Sequence, residues 1–253
     1  MLCAIDVGNT QTVIGLFEGD RLEHDWRVTT AHESTADEMR VSLADLLALE
    51  GRQLDQIDAL VVSSVVPNYT QSLKSIAQRH GFDCLIVGPT LDLGLPVRYE
   101  PPTDVGADRL VNAVAALSRY GSPTIVVDFG TATTFDAITA DGEYAGGVIA
   151  PGVEISADAL FSAAAKLSRV DLETPSKVIG TSTATSVQSG VLYGQATMVD
   201  GLVDRMKIEL GGEPEVISTG GFGGFMTPLC ERILHYEPYL TLEGLNIVYQ
   251  RNR

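Results

Sequence analysis

Two short segments place a carboxylate where an apolar strand meets a turn. Asp6-Val7-Gly8-Asn9-Thr10 follows the apolar run Leu2 to Ile5, and Asp128-Phe129-Gly130-Thr131 follows Thr124 to Val127. In each, the strand delivers an Asp at its end and a glycine permits a tight turn with close backbone approach. Asn9, Thr10 and Thr12 add polar groups of a kind that reaches phosphate oxygens. Asp6 would hold Mg²⁺, often through water, because that hard ion favours carboxylate and phosphate oxygens. The pattern lacks both the GxxxxGK[ST] of a P-loop and the GxGxxG of a dinucleotide fold, so it reads as a hairpin phosphate loop. An ordinary Asp–Gly hairpin has the same local pattern, and the loop alone does not decide between the two.

Two further segments carry chemistry. Ser218-Thr219-Gly220-Gly221 follows a strand and precedes a predicted helix, a placement suited to close approach of a nucleotide. In Gly106-Ala107-Asp108-Arg109, an Asp and an Arg are adjacent near a helix start, after a Pro/Gly loop. Adjacent helical residues point in different directions, so they are not placed simply to pair with each other. An Asp can accept a proton from an attacking hydroxyl, and an Arg can grip a carboxylate bidentately. A solvated helix start, where the dipole favours Asp anyway, is an equal reading of the spacing.

The elements that must position these residues alternate between strands and helices. Strands are read at Leu2–Ile5, Val13–Phe17 and Leu22–Val28, with a hairpin turn at Glu18-Gly19-Asp20. A helix follows Ser34-Thr35 with Met39, Leu43, Leu46 and Leu47 at helical spacing, and a second opens at Pro67. Ala59–Val62 and Leu85–Val87 read as strands, Gly88 to Pro102 as loop, and Val105 to Leu117 as helix. Strands follow at Thr124–Val127, Thr133–Ile138, Tyr144–Ile149 and Glu215–Ser218, with helices at Gly190–Leu210 and Phe222–Leu234. The class is α/β. Residues 5–12 and 127–134 share the order apolar strand, Asp-x-Gly, hydroxyl residues, apolar strand, which predicts a duplicated fold with a cleft between two halves. The halves are read as 1–120, with the phosphate loop 6–13 and a substrate segment 99–109, and 121–253, with loop 128–134 and the Thr-Gly-Gly segment 218–221.

Composition removes several function classes. The net charge of −16 repels phosphate backbones, so nucleic-acid binding is not expected. It repels ATP and anionic substrates too, so local backbone N–H groups, a metal ion or placed basic side chains must offset it. No stretch approaches the roughly 18 apolar residues of a membrane span, and no basic segment precedes the short apolar start, so a cytoplasmic protein is expected. Cys3, Cys84 and Cys230 are far apart, and His24, His32, His80 and His235 lack zinc-site spacing. Cys3 reads as a small buried thiol.

The strand–Asp-x-Gly loop, its echo and the late Thr-Gly-Gly together resemble the acetate-and-sugar-kinase/actin superfamily of ATP-binding folds. The set Asp6-x-Gly8-Asn9-Thr10, Gly106-Ala107-Asp108-Arg109, Asp128-Phe129-Gly130-Thr131-Ala132-Thr133 and Gly146-Gly147-x-Ile149-x-Pro151-Gly152, with the tail Leu240-Thr241-Leu242-Glu243-Gly244-Leu245, resembles the type III pantothenate kinases along essentially the whole chain. The resemblance implies an actin-like, ribonuclease H-like fold of two similar halves, each a mixed sheet flanked by helices. It implies transfer of the ATP γ-phosphate to the primary hydroxyl of pantothenate, the first step toward coenzyme A. It also implies Asp108 as proton acceptor, with Tyr99, Gly106, Ala107, Asp108, Arg109 and Thr183 at the pantothenate site. Asp6, Val7, Gly8, Asn9, Thr10, Gln11, Thr12 and Val13 would cradle the ATP phosphates with Thr131. Asp128 matches the position for a monovalent cation, K⁺ or NH₄⁺, Mg²⁺ accompanies the nucleotide, and the family is a homodimer with its active site near the subunit interface.

One departure concerns Thr181 and Ser182, which stand where family members commonly have a Lys and an Asn or Asp. The missing Lys removes a positive charge near the substrate region, and altered affinity is the expected consequence. Two other functions fit the superfamily: a kinase of another small hydroxylated metabolite, or a non-catalytic ATP-binding regulator. Gly106–Arg109 and the Leu240–Leu245 tail argue against the first, and the intact Asp6, Asp108 and Asp128 against the second.

Overall fold

The computed structural model describes residues 1–88, 90–164 and 167–253, so Pro89, in the loop read from Gly88 to Pro102, lies outside the described residues. The chain forms two compact units: Met1–Ala115 with Tyr239–Arg253, and Ala116–Pro238.

In the first unit, β1 (Leu2–Val7), β2 (Gln11–Glu18) and β3 (Arg21–Thr29) form an antiparallel meander. Helix α1 (Ala36–Leu49) leads to β4 (Ala59–Ser64) and α2 (Pro67–His80) to β5 (Asp83–Ile86), giving the sheet order β3-β2-β1-β4-β5. The β1/β4 and β4/β5 pairs are parallel, as strands joined by helical crossovers usually are. Thr35 caps α1 through the Glu38 amide, and the Glu38 carboxylate accepts from the Thr35 amide in return, so the chain leaves β3 in a fixed direction. Pro67 opens α2 and Gly81 closes it in the left-handed region (φ 75°), which a glycine adopts without a Cβ penalty.

The faces of this sheet follow from register. Ile5 lies opposite both Ile14 and Val62, and all three belong to the core shared with Met39, Leu43 and Leu47 of α1 and Leu73 and Ile76 of α2. Ala4 lies opposite Gly15 and Val61, which puts those three on the other face. That face is covered by the last helix, α7 (Leu240–Asn252), which packs on β1, β4 and β2. Small residues at 4 and 15 let it approach: a Cβ on Gly15 would lie 2.8 Å from Leu242 Cδ1. With both faces covered, β1 reads as a continuous apolar run.

The second unit repeats the plan. β6 (Thr124–Phe129), β7 (Ala132–Ile138) and β8 (Tyr144–Pro151) form the meander, followed by α4 (Val153–Ala163), α5 (Thr183–Leu210), β9 (Glu215–Thr219), the short α6 (Gly223–Met226) and β10 (His235–Tyr236). Read from β8, the sheet order is β8-β7-β6-β9-β10, the same as in the first unit. Helix α3 (Ala107–Tyr120) joins the two plans.

Several elements differ from the sequence reading, in which α7 and β10 have no counterpart. The helix expected over Phe222–Leu234 is only Gly223–Met226 followed by a 3-10 turn at Thr227–Leu229, because two glycines weaken its start and Pro228 removes an interior hydrogen bond. The long helix begins at Thr183 rather than Gly190, and α4 was not anticipated. Burial pushes the Cys3 and Cys230 thiols up to about 12, so both are inert apolar residues.

Candidate active site

In the first unit, the Asp6 loop is a four-residue hairpin. Val7 pairs with Thr12, and the Gly8 amide donates to the Gln11 carbonyl at 3.0 Å. A Cβ at residue 8 would sit 3.0 Å from that carbonyl, so the tight turn favours glycine. Asn9, Thr10 and Gln11 are exposed, while Val7 and Thr12 are buried and Asp6, Gly8 and Val13 are half-buried. The exposed residues 9–11 are therefore the part of the loop available to phosphate oxygens, with Val7 and Thr12 holding it from beneath.

Two residues that sequence reasoning passed over keep the loop rigid. Thr30 Oγ1 donates to the Gly8 carbonyl at 2.8 Å and shares a 2.9 Å hydrogen bond with Thr12 Oγ1, while its amide donates to the Thr10 carbonyl. His32 Nε2 lies 2.8 Å from the Asn9 carbonyl. Neither shows a spacing signal, because their partners are backbone atoms some twenty residues away in the chain. Ser63 lies opposite Asp6 in the β1/β4 register and is fully buried, with no hydrogen-bond partner for its Oγ among the described residues.

The acceptor segment runs from Tyr99, which is half-buried in coil, to the first turn of α3. Gly106 lies against the Asp108 side chain: a Cβ there would be 2.4 Å from Asp108 Oδ1. That oxygen is buried without a hydrogen-bond partner among the described residues. Burial raises the Asp108 pKa above the usual carboxylate value, opposed by the Arg109 amide, the Arg109 guanidinium and the Asp108 amide. A carboxylate with a desolvated, unpaired oxygen is a stronger proton acceptor than one in water. Arg109 is 7% exposed, so its charge acts in a low-dielectric setting where an anionic partner is held strongly.

In the second unit, four segments converge at the ends of β6, β8 and β9. Asp128 pairs with Thr134 and Thr219, and the Gly130 amide donates to the Ala132 carbonyl at 3.1 Å. This hairpin is one residue shorter than its counterpart, so buried Thr133 takes the register position of Thr12. Gly220 (φ 91°) stands against it: a Cβ there would be 2.3 Å from Asp128 Oδ1. A Cβ on Gly152 would lie 2.2 Å from the Thr131 carbonyl and 2.8 Å from that of Gly130. Glycines at 220 and 152 thus allow close approach to the Asp128 carboxylate and to the Gly130 and Thr131 carbonyls, with Thr131 exposed. Carboxylate and carbonyl oxygens are the donor type that suits a hard cation. Asp6, half-buried at the hairpin of the first unit, suits Mg²⁺, which binds through one or two carboxylates and the phosphates of its substrate.

Thr183 lies elsewhere in that unit. It is the exposed first residue of α5, on a groove of about 1070 Å³ between α4 and α5 that Ser156, Gly190 and Gly194 also line. Ser182 precedes it as N-cap, accepting from the Thr185 amide at 3.2 Å. The departure from the family pattern at Ser182 therefore retains a capping residue type. Gln195 ties this groove to the Gly152 turn by donating to the Pro151 carbonyl at 3.0 Å and to Ser156 Oγ at 2.9 Å.

Comparison with known proteins agrees with this assembly of parts. Among solved structures, a Campylobacter jejuni protein assigned to the Baf family of transcriptional activators superposes with a TM-score of 0.62 at 17% identity, covering 98% of this chain and 97% of that one. An Arthrobacter polyphosphate/ATP-glucomannokinase superposes with a TM-score of 0.52 at 14% identity, covering 99% of both chains. At these identities the likeness is one of fold, the duplicated actin-like α/β fold. Sequence likeness is much closer: type III pantothenate kinases of Moorella thermoacetica and Geobacter sulfurreducens are each 49% identical over the full length of both chains. The model of the type III pantothenate kinase family matches residues 2–205. With the Asp6 hairpin, the Asp108 segment, the Asp128 hairpin and Thr183 inside that match, and the relatives alike over the full length of both chains, this chain belongs to the type III pantothenate kinase family.

Proposed function

We infer that this protein transfers the γ-phosphate of ATP to the primary hydroxyl of pantothenate, giving 4'-phosphopantothenate at the entry to coenzyme A synthesis. The observation that carries the reading is Asp108, its Oδ1 buried and unpaired at the first turn of α3 beside buried Arg109, in a chain alike over its full length to these kinases. Asp108 takes the hydroxyl proton as the oxygen attacks the γ-phosphorus in line and the bond to the β-phosphate oxygen breaks, leaving ADP. Arg109 binds the pantothenate carboxylate, and Tyr99, Gly106, Ala107 and Thr183 complete the acceptor site. Asp6 to Val13 and Thr131 hold the phosphates, chiefly through the exposed residues of the hairpin. Because this transfer is mostly positioning and charge stabilisation, a rigid hairpin and a fixed base meet most of its needs. Mg²⁺ at Asp6 would neutralise charge on the phosphates when bound, and Asp128 with the Gly130 and Thr131 carbonyls would hold K⁺ or NH₄⁺.

In this reading residues 1–120 carry the phosphate loop and the acceptor segment, and residues 121–253 the cation site and Thr-Gly-Gly. The enzyme works in the cytoplasm as a homodimer with the active site near the subunit interface. Support for the dimer comes from exposed apolar side chains flanking the Thr183 groove in sequence, namely Ile155, Leu160, Val178 and Ile179. Among the described residues, no helix is long and apolar enough to cross a membrane.

The test is ADP release from ATP and Mg²⁺ by the purified protein, with and without pantothenate, in K⁺ and in Na⁺. Release that requires pantothenate and falls in Na⁺ is the expected result. Turnover indifferent to pantothenate would redirect the search to another acceptor, and no turnover would favour the regulator.

A further inference from the structure

The segment Leu240-Thr241-Leu242-Glu243-Gly244-Leu245 has no part in the chemistry above, yet it forms the first turns of α7 and touches the elements that do. On one side it lies against β2, where Leu242 fills the space left by Gly15. Gly15 shares a sheet face with Ala4, and Asp6 and Val13 are the next residues on that face, one strand repeat toward the hairpin. On the other side it meets α3. Thr241 Oγ1 donates to Asn112 Oδ1 at 2.7 Å, and Asn112 is fully buried. Gly244, one turn later, lies so close that a Cβ would be 2.0 Å from the Val111 carbonyl oxygen, against about 3.3 Å for a close carbon–oxygen contact. Asn112 stands four residues after Asp108 and three after Arg109, so all three share one side of α3.

A largely buried hydrogen-bonded pair such as half-buried Thr241 with buried Asn112 is a poor device for stability alone, because replacing both partners with apolar groups of the same shape can be neutral. What it adds is direction. Apolar packing lets one helix slide or turn on another, while a single hydrogen bond at a glycine crossing fixes both rotation and height. We propose that Thr241 and Asn112 are positioning residues: their hydrogen bond, with Gly244 closing the helix crossing, sets the bearing of Asp108 and Arg109 against the sheet face that carries Asp6. This rests on the reading of Asp108 as proton acceptor. Rate then depends on the brace while nucleotide binding does not, because the hairpin is held separately by Thr30 and His32.

The experiment compares Thr241→Val, which keeps the shape and removes the donor, with Thr241→Ser, which keeps the hydroxyl. Both are measured by steady-state kinetics and by amide hydrogen exchange. For Thr241→Val, kcat should fall about 10- to 100-fold, the scale of a displacement near 1 Å at the reacting centre. Its KM for ATP should stay within about two-fold of the parent, and Thr241→Ser should recover most of the rate. Amides 110–114 of α3 should exchange faster in Thr241→Val while those of β1 and β2 keep their protection. Unchanged kcat, equal loss in the Ser variant, or a uniform loss of protection across the unit would overturn the brace. If the parent protein shows no pantothenate-dependent turnover, the acceptor reading fails by itself. The exchange comparison still decides the brace in that case: local loss on α3 supports it, and unchanged protection overturns it.

Discussion

Asp108 joins two properties that pull against each other. Its buried Oδ1 lacks a partner among the described residues, and desolvation is the largest influence on its pKa, in the raising direction. A folded-state pKa above the unfolded value means that the native state binds the proton more readily. The stability this group contributes is full below the unfolded pKa, roughly 3.9, and is lost as pH rises through the folded value. At neutral pH the charged carboxylate is therefore a burden on the fold that its chemistry requires. Asp108→Asn should lower turnover by about 10²-fold or more, as loss of a general base does. The same variant should be more stable than the parent at pH 7, with the difference vanishing below about pH 4, where both side chains are neutral. Urea titrations at the two pH values, beside kcat, check both halves. Near-normal turnover would remove Asp108 from the role of base, and a destabilised variant at pH 7 would show that its carboxylate is compensated. The Asp-Arg pair was visible in the sequence, but its burial was not. Nor were Thr30 and His32, which act on the carbonyls of Gly8 and Asn9 and carry no local signature.

The elements that position these residues were legible in proportion to how regular their patterns are. The β1–β2–β3 meander, β4 and α2 follow from apolar runs and punctuating Gly and Pro, and the structure places them where the sequence reading did. Over Phe222–Leu234 the apolar spacing is helical, but Gly223, Gly224 and Pro228 limit the helix to one turn. Helix α4 did carry a signal, with Val153, Ala157, Leu160 and Phe161 at helical spacing. The start of α5 carried almost none: its first turns are rich in Thr and Ser, and its capping box has Thr185 where Glu or Gln is usual. Ser182 thus sets a helix end that hydropathy cannot locate, and Thr183 is positioned by it. Ser182→Ala should cost about 1 kcal/mol by removing the acceptor for the Thr185 amide. Fraying of that end should raise the KM for pantothenate with little change in the KM for ATP. Denaturant unfolding and the two KM values test this. An unaltered pantothenate KM despite the lost stability would detach Thr183 from the acceptor site.

For the molecule as a whole, duplication was legible and its completion was not. The Asp-x-Gly echo announces two like units, and the strand orders match, but nothing local in Tyr239–Arg253 says that α7 returns to the first sheet. Against a net charge of −16, the proposed function needs its anion-handling parts to be short-range, and the proposed hairpin amides, buried Arg109 and bound cations would each act inside the Debye length of about 8 Å. Self-association must also work against that charge, so a dimer has to draw on apolar contact. Ile179 is 83% exposed and Val178 65%, just before the helix that begins at Thr183. Side chains so exposed contribute little to the fold of one subunit, so a charge at residue 179 should act on association alone. Ile179→Glu is expected to shift the protein from dimer to monomer in sedimentation velocity at micromolar concentration, with pantothenate-dependent turnover falling in step. A dimer that persists would move the interface away from this groove. A monomer that keeps full turnover would place the complete active site within one chain, and Thr183 would then act on its own subunit's substrate.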